Sequence, residues 1–140
     1  MTLDSTITIV GNLTADPNLR FDPQGQPQVK FNVAVSRRRY DRNKQEWVDA
    51  DTTFLTCELW GAEAENVASS LAKGQRVIVS GKLQTKRWET KQGERRERME
   101  MRVEDVGPSL KYGTTTFQKA DYRGPYRDDS IPGSDDNAPF

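Results

Sequence analysis

The sequence predicts an all-β domain followed by a disordered tail, and three observations carry that prediction. Short runs of β-branched and apolar residues, some in strict alternation with polar ones, recur between turn clusters. Only one segment has helical spacing. Beyond Tyr112 the composition shifts to Gly, Pro, Ser, Thr and Asp with scattered aromatics, too little apolar area to offset the entropy of ordering. With 140 residues in all, the chain has room for one core, expected over residues 1 to 112, and a tail over 113 to 140.

The first strand is expected around Ile7 to Leu13, where ITIVGNL is rich in β-branched residues and then breaks into Asp16, Pro17 and Asn18. Asp22 to Pro27 (DPQGQP) is a second turn cluster. From there Val29, Phe31, Val33 and Val35 alternate with Lys30, Asn32, Ala34 and Ser36, the pattern of a half-buried strand. Residues 37 to 50 (RRRYDRNKQEWVDA) have no sustained period and many charges, which suits a projecting hairpin or finger loop. A third strand follows from Thr52 to Gly61. Ala64, Val67, Ala68 and Leu71 then recur at helical spacing, with Lys73 and Gly74 expected to close a short amphipathic helix. Val77, Ile78 and Val79 open a fourth strand that runs through Leu83, and the Lys91 to Glu94 turn leads to a last strand around Met99 to Val106. Five strands with one helix between the third and fourth is the arrangement of an OB fold, a partly open Greek-key barrel.

Composition narrows the chemistry. Lys and Arg total 21, as do Asp and Glu, yet residues 1 to 112 hold 18 basic and 16 acidic side chains while residues 113 to 140 hold 3 and 5. The domain leans basic and the tail acidic. No histidine is present, which removes the commonest general base and metal ligand. A single cysteine, Cys57, allows neither an internal disulfide nor a multi-cysteine metal site. No apolar run approaches the roughly 20 residues of a membrane span, and no basic stretch with an apolar core marks a signal peptide, so a cytoplasmic protein without cofactor or metal is expected.

Alternation in the third strand places Leu55, Cys57 and Leu59 on one side and Phe54, Thr56, Glu58 and Trp60 on the other. The first set is compact and uncharged and suits the barrel interior. The second joins two large aromatics to a glutamate that is costly to bury unpaired, so Phe54 and Trp60 are assigned to the outside. Exposed aromatics need a cover. Unpaired bases supply one at roughly 1–3 kcal/mol per base, and a second subunit supplies another; pattern alone leaves both open. Tyr40 lies among Arg37, Arg38, Arg39 and Arg42, and Trp88 beside Lys86, Arg87 and Lys91, an interleaving of aromatic and cation that suits a flexible polyanion. Cys57, without a neighbouring base, reads as core. A rival reading, a metal-dependent nuclease, would use Asp49, Asp51 and Glu58, but polar loop residues are the better account of the first two.

These residues resemble the bacterial single-stranded DNA-binding proteins over most of residues 3 to 112. The passages that carry the resemblance are VGNLTADPNLRF (Val10 to Phe21), FNVAVSR (Phe31 to Arg37), LWG (Leu59 to Gly61), AENVASSLAKGQRVIVSGKL (Ala64 to Leu83) and the Trp88 hairpin. The resemblance implies a homotetramer of OB folds, not an enzyme, that binds and protects single-stranded DNA without strong sequence preference in DNA replication, recombination and repair. It implies base stacking on Tyr40, Phe54, Trp60 and Trp88; in relatives the first two are often tryptophan and the third often phenylalanine. Arg37, Arg38, Arg39, Lys82, Lys86 and Arg87 are the cations beside them, expected on phosphates. Val106 to Tyr112 (VGPSLKY) is similar to the actinobacterial branch, in which an extra strand clamps subunits in pairs. Family tails end in an acidic tip that recruits replication, recombination and repair proteins. Here the equivalents are Asp135, Asp136, Pro139 and Phe140, with a shorter acidic run than usual.

Overall fold

The computed structural model describes residues 2–120. Its elements run β1 (Thr2–Leu13), β2 (Asn18–Phe21), β3 (Pro27–Asp41), β4 (Glu46–Trp60), α1 (Ala62–Ser70), β5 (Arg76–Glu89) and β6 (Arg95–Pro108). The sheet order is β1-β5-β6-β4-β3-β2, and a further β1–β3 pairing through Asn12 and Leu13 closes it into a barrel. All pairs are antiparallel except β4–β6. The five expected strands and the helix between the third and fourth are present, so the OB-fold expectation holds. Among the described residues, no helix is long and apolar enough to cross a membrane.

The alternating residues do what their period dictates. Val29, Phe31 and Val33 from β3 meet Leu59, Cys57 and Leu55 from β4 in register, and with Val77, Val79, Met101 and Val103 they fill the barrel. Helix α1 plugs one end with Ala64 and Val67, and Leu71 follows them into the core. Two glycines mark where backbones crowd. A Cβ at Gly11 would run into the Ala34 carbonyl across the β1–β3 closure. One at Gly81 would run into the Arg102 carbonyl at the irregularity between β5 and β6.

Several expectations need correction. A short strand, β2, lies between the two predicted turns; four residues with a single partly buried side chain on one edge leave no period to read. The helix stops at Ser70 and not at Lys73 and Gly74. Leu71 turns extended because its side chain is drawn into the core, while its N–H still bonds the Val67 carbonyl. Gly74 instead takes positive φ in the next turn, and its N–H binds the Leu13 carbonyl, tying the helix exit to β1. The charged segment 37–50 is a hairpin, as expected, but its arms are continuous extensions of β3 and β4. The resemblance implied an extra strand near Val106 to Tyr112. Val106, Gly107 and Pro108 instead finish β6, paired with Val79, Ile78 and Val77, and no strand follows among the described residues.

Candidate functional site

β3, β4, β5 and β6 turn one common face away from the barrel interior. On β4 it carries Phe54, Thr56, Glu58 and Trp60, facing Ala34, Asn32, Lys30 and Gln28 on β3. On the other side of β4, Thr56 and Glu58 adjoin Glu100 and Arg102 of β6, which pair with Gln84 and Lys82 of β5. Alternation extends this face along β5 to Lys86 and Trp88, and along β3 to Tyr40. The four sequence-assigned aromatics therefore belong to one surface. All are open to solvent: Tyr40 is 49% exposed, Phe54 67%, Trp60 40% and Trp88 44%.

A buried ionic cluster organises the middle of this face. Glu58 is only 3% exposed although it lies on the outer side of the sheet. Its neighbours offset the cost of burial. Lys86 Nζ lies 2.7 Å from the carboxylate, Gln84 donates at 2.6 Å, Gln28 at 3.1 Å, and Lys30 Nζ stands 3.9 Å away. Burial alone would raise the carboxyl's pKa. The hydrogen bond and charge of Lys86, with Gln84 and Lys30 behind them, outweigh it and hold the group below the ordinary carboxylate range. Glu58 is thus an anchor for lysines, its oxygens taken, and not a candidate metal ligand. Among the described residues, no cluster of three potential acidic or cysteine ligands occurs.

Glu100 has the same role on the neighbouring strand, β6. It is 1% exposed and accepts from Arg98 Nη2 at 2.8 Å and Nε at 2.9 Å. Arg98 in turn lies 5.7 Å from the Trp88 ring centroid, so a cation tethered to a buried carboxylate backs the indole. Cys57, on the inner side of β4, has its thiol pushed up to about 12 by burial and then by the Glu100 charge, which leaves it protonated and unreactive.

The assigned cations divide. Lys82 and Lys86 share the aromatic face. Arg87 alternates to the far side of its hairpin, where it pairs with Glu97 at 3.2 Å. Arg38 falls on the Tyr40 side of β3, whereas Arg37 and Arg39 alternate away from it, Arg37 opposite Asp51. Asp135, Asp136, Pro139 and Phe140 lie outside the described residues. Sequence reasoning missed Lys30, Arg98 and Arg102. The alternation of Arg96, Arg98, Glu100 and Arg102 in RRERMEMR was the signal that could have found the last two. It also missed Trp47, 61% exposed and opposite Tyr40.

Comparison with known proteins agrees with this geometry. Residues 4–109 match the family model described as "Single-strand binding protein family". A relative named single-stranded DNA-binding protein from Mycobacterium tuberculosis is 50% identical over 129 residues, covering 92% of this chain and 79% of the relative. One from Paenarthrobacter aurescens is 50% identical over 116 residues, 83% of this chain and 68% of the relative. Among solved structures, the small single-stranded DNA-binding protein of Streptomyces coelicolor superposes with a TM-score of 0.64 at 31% identity, covering 76% of this chain and 94% of that one. These relatives are actinobacterial, as the VGPSLKY segment suggested.

Proposed function

Because the chain belongs to the single-strand binding protein family, we propose that it binds single-stranded DNA by stacking unpaired bases on Tyr40, Phe54, Trp60 and Trp88. The observation that carries this reading is the arrangement of these four exposed side chains on one sheet face, around lysines held by a buried glutamate. Every base offers a π-face, so such a surface binds with little regard to sequence. Paired DNA hides those faces inside its stack. The protein performs no reaction; it protects the strand by occupying it, in the setting of DNA replication, recombination and repair in the cytoplasm.

Phosphates are met by Lys82, Lys86 and the Arg37 to Arg39 run, and Arg87, turned to the far side of its hairpin and paired with Glu97, is left out of this set. The β3–β4 hairpin is a narrow two-stranded ribbon, so a flexible strand reaches arginines on either side of it. Titrating the intrinsic fluorescence with poly(dT) across salt concentrations tests the whole reading. Affinity should fall as salt rises, and replacing Arg37, Arg38 and Arg39 together should flatten the slope of log affinity against log salt. An unaltered slope would remove the run from the site.

The active form in this reading is a homotetramer. Two features support self-association. Most of β1 pairs only with β5, leaving its other edge without a strand neighbour among the described residues up to Asn12. Ile78 is 44% exposed beside Ser80, Asp105 and Val106 on the outer side of β5 and β6. Light scattering at micromolar protein should return four chain masses; a monomer mass would sink the tetramer.

Residues 1 to 112 form the DNA-binding domain and 113 to 140 the tail, whose Asp135, Asp136, Pro139 and Phe140 offer negative charge and an aromatic ring to basic, aromatic-lined pockets on genome-maintenance proteins. Deleting Asp135 to Phe140 should leave DNA affinity equal or slightly higher, since a competing anion is lost, while capture of helicase-type or recombination partners fails. Retained partners would move recruitment to the folded domain.

A further inference from the structure

We propose that Trp47, at the end of the β3–β4 hairpin, is a fifth base-stacking side chain, turned onto the binding face by a one-residue bulge in β4. The proposal rests on the single-stranded DNA reading above.

Counted back from Phe54 and Trp60, strict alternation would put Trp47 with Leu55, Cys57 and Leu59, on the interior side. The register breaks that count. Arg37 stands opposite Asp51, but the next residue, Arg38, stands opposite Asp49, so Ala50 has no partner. Beyond the bulge the alternation of β4 is inverted, and Trp47 arrives directly opposite Tyr40. Tyr40 shares its side of β3 with Ala34, the partner of Phe54. One inserted residue thus moves an indole from the interior side to the side that carries Phe54 and Trp60.

The tip is built to hold it there. Asp41 Oδ1 accepts the N–H groups of Asn43, at 2.8 Å, and Lys44, at 3.3 Å, and Gln45 takes a left-handed φ of 52°, which turns the chain into β4 two residues before Trp47. The Tyr40 and Trp47 rings meet edge to face, with centroids 5.7 Å apart and planes at 67°. Tyr40 therefore braces one side of the indole and leaves much of it open: Trp47 is 61% exposed, more than Tyr40, Trp60 or Trp88. Arg42 and Lys44, in the turn beside it, supply the charge that brings a phosphate backbone near. A solvent-facing indole, braced on one side by Tyr40 and set among cations, fits the flat face of an unpaired base.

A cross-strand aromatic pair can also serve only to stabilise a hairpin, and the test separates the two. The full chain is labelled with 5-fluorotryptophan, and its three fluorine signals are assigned by single Trp→Phe substitutions and followed during titration with oligo(dT). The Trp47 signal should shift on binding. Trp47→Leu should weaken oligo(dT) binding at least about fivefold, the low end of a stacked base, while Trp47→Phe retains most of the affinity. A Trp47 signal that stays still while those of Trp60 and Trp88 move overturns the proposal whatever Trp47→Leu does, because any loss would then come from the hairpin fold. Unchanged affinity in Trp47→Leu overturns it too. If oligo(dT) is not bound and none of the three signals moves, the single-stranded DNA reading has failed instead.

Discussion

Trp60→Ala and Trp88→Ala are each expected to weaken single-stranded DNA binding by about 1–3 kcal/mol, and bound DNA should quench the indole emission of the unaltered protein. The two sites reach that result differently. Trp60 is placed by the backbone of β4, opposite Gln28 and two residues from the buried Glu58. Trp88 sits near the end of a long hairpin and depends on side chains for its orientation: Arg98 backs the ring and Glu100 holds Arg98. Trp88→Phe should consequently keep some of the affinity, since a ring remains between the tethered cation and the base. Titration of each variant with poly(dT) at one salt concentration measures the effect. Wild-type affinity in both alanine variants would take these residues out of the site.

Lys86→Ala is expected to cost fold stability as well as affinity, unlike Lys82→Ala, which should cost affinity alone. Removing Lys86 leaves Glu58 charged, almost wholly buried, and with Gln84, Gln28 and the more distant Lys30 as its remaining partners. A loss of about 1–3 kcal/mol follows from stripping one donor from a buried acceptor. Glu58→Gln should be milder, because the stranded partner is then a lysine about a third exposed, which can turn to water. The pH dependence follows from the direction of the Glu58 shift. Its folded pKa lies below the unfolded value, so its contribution is complete above the ordinary carboxylate range and is lost as pH falls through the folded value. The deficit of Lys86→Ala should thus be largest near neutral pH and narrow in acid, where a protonated Glu58 no longer needs the lysine. Urea midpoints at neutral and acid pH report this directly. A deficit that is constant with pH would mean that Lys86 stabilises the fold by packing and not through Glu58.

By itself the sequence determined five of the six strands, the helix and the outward placement of Phe54 and Trp60. Each of these rests on a local signal: the period-two run from Val29 to Val35, the helical spacing of Ala64, Val67 and Leu71, and the parity that sets Phe54 and Trp60 against Cys57 and Leu59. The resemblance to a known family rested on equally contiguous passages. What only the tertiary structure decided was how distant strands meet. Glu58 is buried because Lys86, Gln84, Gln28 and Lys30 arrive from two other strands, and nothing within five residues of Glu58 announces any of them. Arg98 joins the Trp88 site because Glu100, two residues on and buried, holds its guanidinium over the ring. Trp47 changes face because of a bulge, and a bulge exists only in the pairing of two strands: Ala50 looks like any other residue until Arg37 and Arg38 select Asp51 and Asp49 as partners. Alternation is a property of one strand and can be read along it. Register, closure at Gly11 and Gly81, and the pairing of buried charge are properties of contacts between segments far apart in the chain, set by whichever pairing buries the core and leaves the fewest polar groups unsatisfied.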